Sequence, residues 1–236
     1  MINFLIYLLS FYFADTTQLE GDIQSETPIE QDLFVAGEGG YHTYRIPSLL
    51  VAADGSVLAF VEGRKSGSGD TGDIDLLMKK STDGGHTWSE QKVLWDDGNS
   101  VCGNPNPVLD EVTGDIHLLL TWNRNDDHEG DIITKKSKGT RRVFVMKSTD
   151  NGESWSLPSD ITETTKDPSW GWYATGPGMG IQIKNGPNKG RLVIPANHSY
   201  DEPNGNVRGG PFEYGAHVIY SDDHGATWEL GGVIQP

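Results

Sequence analysis

Short apolar runs alternate with polar, glycine-bearing breaks along most of the chain. The runs are Arg45–Ala52, Ser56–Val61, Ile74–Lys80 and Gln91–Trp95, then Pro107–Leu109, Ile116–Trp122 and Arg142–Lys147, then Gly180–Lys184, Arg191–Ile194 and His217–Tyr220. Apart from the first residues, none of them carries apolar positions at a helical spacing. They are too short for buried helices and are bounded by turn residues, which predicts strands throughout.

Within this pattern one octapeptide occurs three times. It reads Ser81-Thr-Asp-Gly-Gly-His-Thr-Trp88, Ser148-Thr-Asp-Asn-Gly-Glu-Ser-Trp155 and Ser221-Asp-Asp-His-Gly-Ala-Thr-Trp228, with starts 67 and 73 residues apart. Repetition at that spacing marks a supersecondary unit. Each copy follows a strand-like run, and the first leads into another, so the octapeptide is predicted to be a hairpin connection. Asp83, Asp150 and Asp223 accept turn N–H groups, Gly85, Gly152 and Gly225 supply positive φ, and the hydroxyls close the ends. Trp88, Trp155 and Trp228 are expected to pack inward as largely buried anchors.

Each unit then reads strand–turn–strand–loop–strand–octapeptide–strand, the plan of a four-stranded β-propeller blade. The fold class expected is all-β, a β-propeller with three blades at about 42–96, 102–165 and 172–236, preceded by a leader at 1–14 and a linker at 15–38. A propeller closes with about 4–8 blades, so further blades, or partners, are expected to complete the ring. Strand alternation puts the octapeptide turns on one face. The long loops at about 62–73, 123–140 and 197–214 gather on the other, where Arg45 opens the first strand and where function is expected.

Composition narrows the chemistry. Thirty glycines and twelve prolines suit a turn-rich β protein. A net charge of −16 argues against nucleic acid or an anionic membrane as partner, and an anionic substrate would need a local cluster of arginines. Cys102 is the one cysteine, so no intrachain disulfide forms. The seven histidines lack metal-ligand spacing, and no metal or cofactor is expected. The acidic loops Asp70–Asp75 and Asp126–Asp131 offer calcium-type ligands without the EF-hand pattern, and solvated loops are the commoner reading of such stretches. Residues 2–14 are nearly all apolar, too short to span a bilayer but suited to a signal-peptide core, though no Lys or Arg precedes them. They predict a secreted, periplasmic or cell-surface protein; a misassigned start, a shallow anchor and a cytoplasmic location are the alternatives. Asn197-His-Ser199 is a glycosylation sequon in a eukaryotic secretory route.

Tyr44-Arg-Ile-Pro47 opens the first unit, and Glu62-Gly-Arg64 followed by Gly69-Asp70 forms its rim loop. With the three octapeptides (Asp boxes), these motifs resemble the exo-α-sialidases of the bacterial and animal type, whose propeller has six blades. Gly103-Asn-Pro-Asn-Pro107 and Trp172-Tyr-Ala-Thr-Gly-Pro-Gly178 also match segments that open the next two blades in that family. The resemblance covers about residues 40–236, the N-terminal half of such a propeller. It implies an enzyme that releases terminal sialic acid from sialylated glycans or glycolipids with retention. Arg45 would be one of three arginines gripping the sugar carboxylate, Arg64 a second sugar contact, and Asp70 the general acid/base, with Asp73 and Asp75 as competitors. Asn104 is a candidate sugar contact, against the alternative of a turn asparagine.

A carboxylate nucleophile would be repelled by the carboxylate on the anomeric carbon of sialic acid, and the family uses a Tyr assisted by a Glu. No segment of 1–236 matches those motifs or the other two triad arginines, so the chain alone is expected to be inactive. Asp boxes also occur in propellers without activity. A carbohydrate-binding or interaction module is therefore the competing reading, and a glycosidase of neutral glycans the third.

Overall fold

The structure, a computed structural model, describes residues 30–200 and 212–234. The expected leader, most of the linker and the tip of the third rim loop lie outside the described residues. Three four-stranded antiparallel meanders follow one another. The first comprises β1 (Thr43–Val51), β2 (Val57–Arg64), β3 (Ile74–Ser81) and β4 (Lys92–Trp95). The second comprises β5 (Val101–Leu109), β6 (Ile116–Asn123), β7 (Arg142–Ser148) and β8 (Ser159–Asp160), with the short helix α1 (Glu129–Ile133) in its rim loop. After α2 (Thr162–Thr165), the third has its first strand in two pieces, β9 (Trp170–Thr175) and β10 (Ile181–Gln182), both paired with β11 (Leu192–Tyr200). Then come β12 (Tyr214–Ser221) and β13 (Glu229–Ile234). The strand pattern in the sequence marks only the second piece, at 180–184, while the family-like segment Trp172–Gly178 marks the first. Pro177, which has no N–H to donate, and Gly176 and Gly178, both at positive φ, break the ladder between the pieces.

The same irregularity marks the first strand of every meander. Ile46, Asn104 and Gly176 have φ of 56°, 54° and 85°, and each precedes a proline. In β1 and β5 the pairing register shifts there, between Arg45 and Ser48 and between Gly103 and Asn106. A β-branched residue at positive φ is strained, at a cost of order 1–3 kcal/mol. The bulge re-aims the residues beside it, and these are Arg45 and Asn104.

All three octapeptides form the predicted turn, with nearly identical bonds. Gly85, Gly152 and Gly225 donate their N–H to Ser81, Ser148 and Ser221 at 2.8, 2.9 and 2.8 Å. The N–H groups of Thr87, Ser154 and Thr227 reach Asp83, Asp150 and Asp223, each at 2.9 Å. These bonds favour the ionised carboxylate, and Asp150 is lowered to about 2.

The tryptophans depart from expectation. Trp228 is 2% exposed, but Trp88 and Trp155 are only half-buried. The second and third boxes lean on the meander before them. Trp155 meets Phe60 edge-on at 5.8 Å between centroids, and Trp228 meets His117 at 5.7 Å. A Cβ on Gly152 would stand 2.8 Å from Leu58, and one on Gly225 would stand 2.1 Å from His117, so only glycine fits these two contacts. Trp88, in the first meander, belongs to none of the buried clusters and borders an open groove with Lys92 and Glu153.

The core consists of stacked clusters between meanders. One joins Leu58, Phe60 and Leu76 to Leu118, Leu120 and Met146, and another joins Val108 and Leu119 to Ile194, Ile219 and Trp228. Phe34, in the stretch read as linker, packs against the first meander beside Tyr41, Val61 and Leu77.

The third meander also buries a histidine pair. Nδ1 of His198 and Nδ1 of His217 are 3.0 Å apart, His217 Nε2 is 2.8 Å from the Tyr173 hydroxyl, and His198 stacks on Trp170. Burial holds both imidazoles well below their ordinary range. An unfolded chain takes up protons at these residues below about pH 6.5 and the folded one does not, so their contribution is complete above that pH and is lost as pH falls. The thermal midpoint is expected to drop between pH 7 and pH 5, with a shallower drop in His217→Gln. A midpoint flat over that interval would contradict the assignment.

Candidate active site

The starts of β1, β5 and β9 and the ends of β2, β6 and β11 lie at one end of the meanders, opposite the octapeptide turns. Pairing fixes this: Arg45 lies across from Glu62, Arg64 from Ile74, and Ile74 from Val101 of the second meander. A cleft of about 150 Å³ opens there, lined by Ile46, Glu62, Arg64, Asp70, Asn104, Glu129, Arg141 and Trp172 among others.

Asp70 stands between two arginines. Its Oδ1 is 3.0 Å from Arg45 Nη1 and 2.8 Å from Arg64 Nη2. The Asp70 side chain is 53% exposed and that of Arg45 43%, whereas Arg64 is buried. Arg64 also donates Nη1 to the carbonyls of Ser68 and Gly69 at 2.6 and 2.7 Å, and Arg45 donates to the Ser68 carbonyl at 3.1 Å. The loop carrying Asp70 is therefore moulded around the two guanidinium groups.

The competing carboxylates are engaged elsewhere. Lys65 Nζ lies 2.9 Å from Asp73 and 3.1 Å from Asp75, and Asp75 is buried and accepts the Tyr41 hydroxyl proton. A built-in ammonium thus occupies the acidic stretch that offers calcium-type ligands in the sequence. In the other such stretch, Asp126 pairs with Arg124 and Lys138.

Three charged lining residues, Glu62, Arg141 and Glu129, escape a reading of the sequence as site residues. Glu62 is 2% exposed, ion-pairs with Arg64 and accepts the Asn104 N–H at 2.8 Å. Because β2 is buried at every position from Leu58 to Arg64, no alternation singles it out. Arg141 precedes β7, its guanidinium 3.8 Å from the ring centre of Trp172. The signal available for it was position, since it lies at the same strand end as Arg45 and Arg64. Glu129, on α1, accepts the Tyr214 hydroxyl proton at 2.9 Å, and no local motif marks it.

Asn104 is clamped from three sides. Its N–H goes to Glu62 of the first meander, its carbonyl accepts Thr175 of the third at 2.5 Å, and its side chain meets Thr121 and Arg141. These partners hold the left-handed backbone that an isolated Asn-Pro sequence would leave.

Residues 55–236 match the model of the BNR repeat-like domain. The chain is 34% identical over 212 residues to a sialidase of Micromonospora viridifaciens, covering 87% of this chain and 31% of that one. It is 34% identical over 174 residues to an exo-alpha-sialidase of Aspergillus fumigatus, covering 66% and 42%. It therefore spans well under half the length of these relatives. Among solved structures, the Hadza microbial sialidase Hz136 superposes with a TM-score of 0.71 at 29% identity, over 85% of this chain and 39% of that one. A leech intramolecular trans-sialidase complexed with 2,7-anhydro-Neu5Ac has the same TM-score at 20% identity, over 86% and 46%, a likeness of fold.

Proposed function

The chain belongs to the BNR-repeat sialidase family, and from that premise we propose that its three meanders are consecutive blades of a six-bladed propeller acting as a retaining exo-α-sialidase. The observation that carries this reading is the Asp70 carboxylate held between Arg45 and Arg64 at the mouth of a cleft that also presents Asn104.

The chemistry follows from the charges. A sialic acid carboxylate entering the cleft meets the exposed Arg45 guanidinium, which binds carboxylates through paired N–H donors. Arg45 then leaves Asp70 for the substrate. Asp70, acting as the acid, donates a proton to the glycosidic oxygen as the bond to the anomeric carbon breaks. Its carboxylate later takes a proton from the water that releases the sugar. The nucleophile for the covalent step, a Tyr assisted by a Glu in this family, and the rest of the arginine clamp would come from further blades. An export signal in residues 2–14 would place the enzyme where sialylated glycans are displayed.

Residues 1–236 and a version continued through further blades, assayed side by side with a fluorogenic sialoside and a neutral glycoside, test the reading. The longer protein is expected to turn over the sialoside alone, and 1–236 neither. Equal turnover of the neutral substrate would sink the sialidase assignment. Sialoside turnover by 1–236 near the longer protein's rate would show a nucleophile within these residues.

A further inference from the structure

We propose that Arg141 is a positioning residue that turns the Asn104 carboxamide so that its NH2 group, and not its oxygen, faces the sugar; the identity of the ligand rests on the sialidase reading above. Arg141 is 2% exposed, and among the described residues no carboxylate lies within ion-pair distance of its guanidinium. Its donors are spent on neutral oxygens instead. Nη1 donates to Asn123 Oδ1 at 2.9 Å, Nε and Nη2 to Thr121 Oγ1 at 3.2 and 2.9 Å, and Nη2 also to Asn104 Oδ1.

The direction of every proton follows, because a guanidinium has donors and no acceptor. The atom of Asn104 that meets Arg141 must be the oxygen. The Thr121 hydroxyl, already accepting from Arg141, sends its own proton to the same oxygen at 2.9 Å. Both inward sites of the carboxamide are thereby filled with donors. Asn104 Nδ2 has no protein acceptor among the described residues, and the side chain lines the cleft. The second-meander wall of the site therefore presents a hydrogen-bond donor, suited to a carbonyl or hydroxyl oxygen of the sugar. Stacking on Trp172 and full burial keep the guanidinium fork in one orientation.

Lys in place of Arg141 retains a cation but offers one nitrogen where the fork spans three acceptors. The test combines crystal structures of the 236-residue chain and its R141K variant with titration of N-acetylneuraminic acid at millimolar concentrations followed by NMR. The Asn104 amide is expected to turn or split between orientations in R141K. R141K and N104A should each weaken binding by about tenfold, and R141K should add nothing in an N104A background, because the residue acts through Asn104. T121V, which leaves Arg141 in place, should give a smaller loss and guards against a folding defect in R141K. Additive losses, or an Asn104 amide unmoved in R141K, would overturn the proposal. A turned amide in R141K, with no sugar bound even by an unsubstituted version continued through further blades, would overturn the sialidase reading and leave the positioning role standing.

Discussion

In a propeller completed by further blades, Asp70→Asn is expected to slow hydrolysis of a natural sialoside by ~10²–10⁴-fold while largely sparing a substrate whose leaving group needs no proton. Asparagine keeps the size of the side chain and an oxygen for Arg45 and Arg64, so the loop moulded around those guanidinium groups should stand. What disappears is the group that can gain and lose a proton. The discriminating comparison is kcat/KM for the two substrates in the same variant. Asp73→Asn serves as the control, since Asp73 lies 2.9 Å from Lys65 and is tied to it. Equal losses on both substrates, with Asp73→Asn reproducing the selective pattern, would move the acid/base role to Asp73.

The largest stability effect among the repeats is expected at Trp228. Trp228→Ala should cost ~3–5 kcal/mol, because the indole is enclosed between the second and third meanders. Trp88→Ala, at the equivalent position of the first box, should cost about 1 kcal/mol, since its ring borders an open groove. Urea midpoints of the two variants measure the difference directly. Equal midpoints would contradict the inequality of the boxes, and a Trp228→Ala protein of normal stability that no longer binds the sugar would give the residue a ligand role.

The architecture was legible because its signals are local and repeated. Ser, Asp and Gly in each octapeptide fix the turn through bonds inside the octapeptide, so the sequence carries all of their partners. The tryptophans in the same octapeptides were not equally legible, since their burial depends on a neighbouring meander. Trp228 finds His117 and Trp155 finds Phe60, and nothing within a box says so. The positive-φ residue that interrupts each first strand is not marked either, because Ile46, Asn104 and Gly176 share a following proline but no side-chain type. In the site, Arg45, Arg64 and Asp70 fall within one meander and could be read together. Arg141 enters from the second and Glu129 from a rim helix; their meeting is a product of tertiary packing.

The glycine seats of the second and third octapeptides run in one direction along the chain. Gly152 seats against Leu58 and Gly225 against His117, in each case a later turn on an earlier strand, with no room for a Cβ. A ribosome delivers Leu58 before Gly152 and His117 before Gly225, so each docking surface can exist before the turn that needs it emerges. Assembly can then proceed as templated addition, every new meander setting its rotation on the last one finished. Under that order a substitution at Leu58 disturbs the seating of the second meander as well as the first, while one at Gly225 leaves everything made earlier intact.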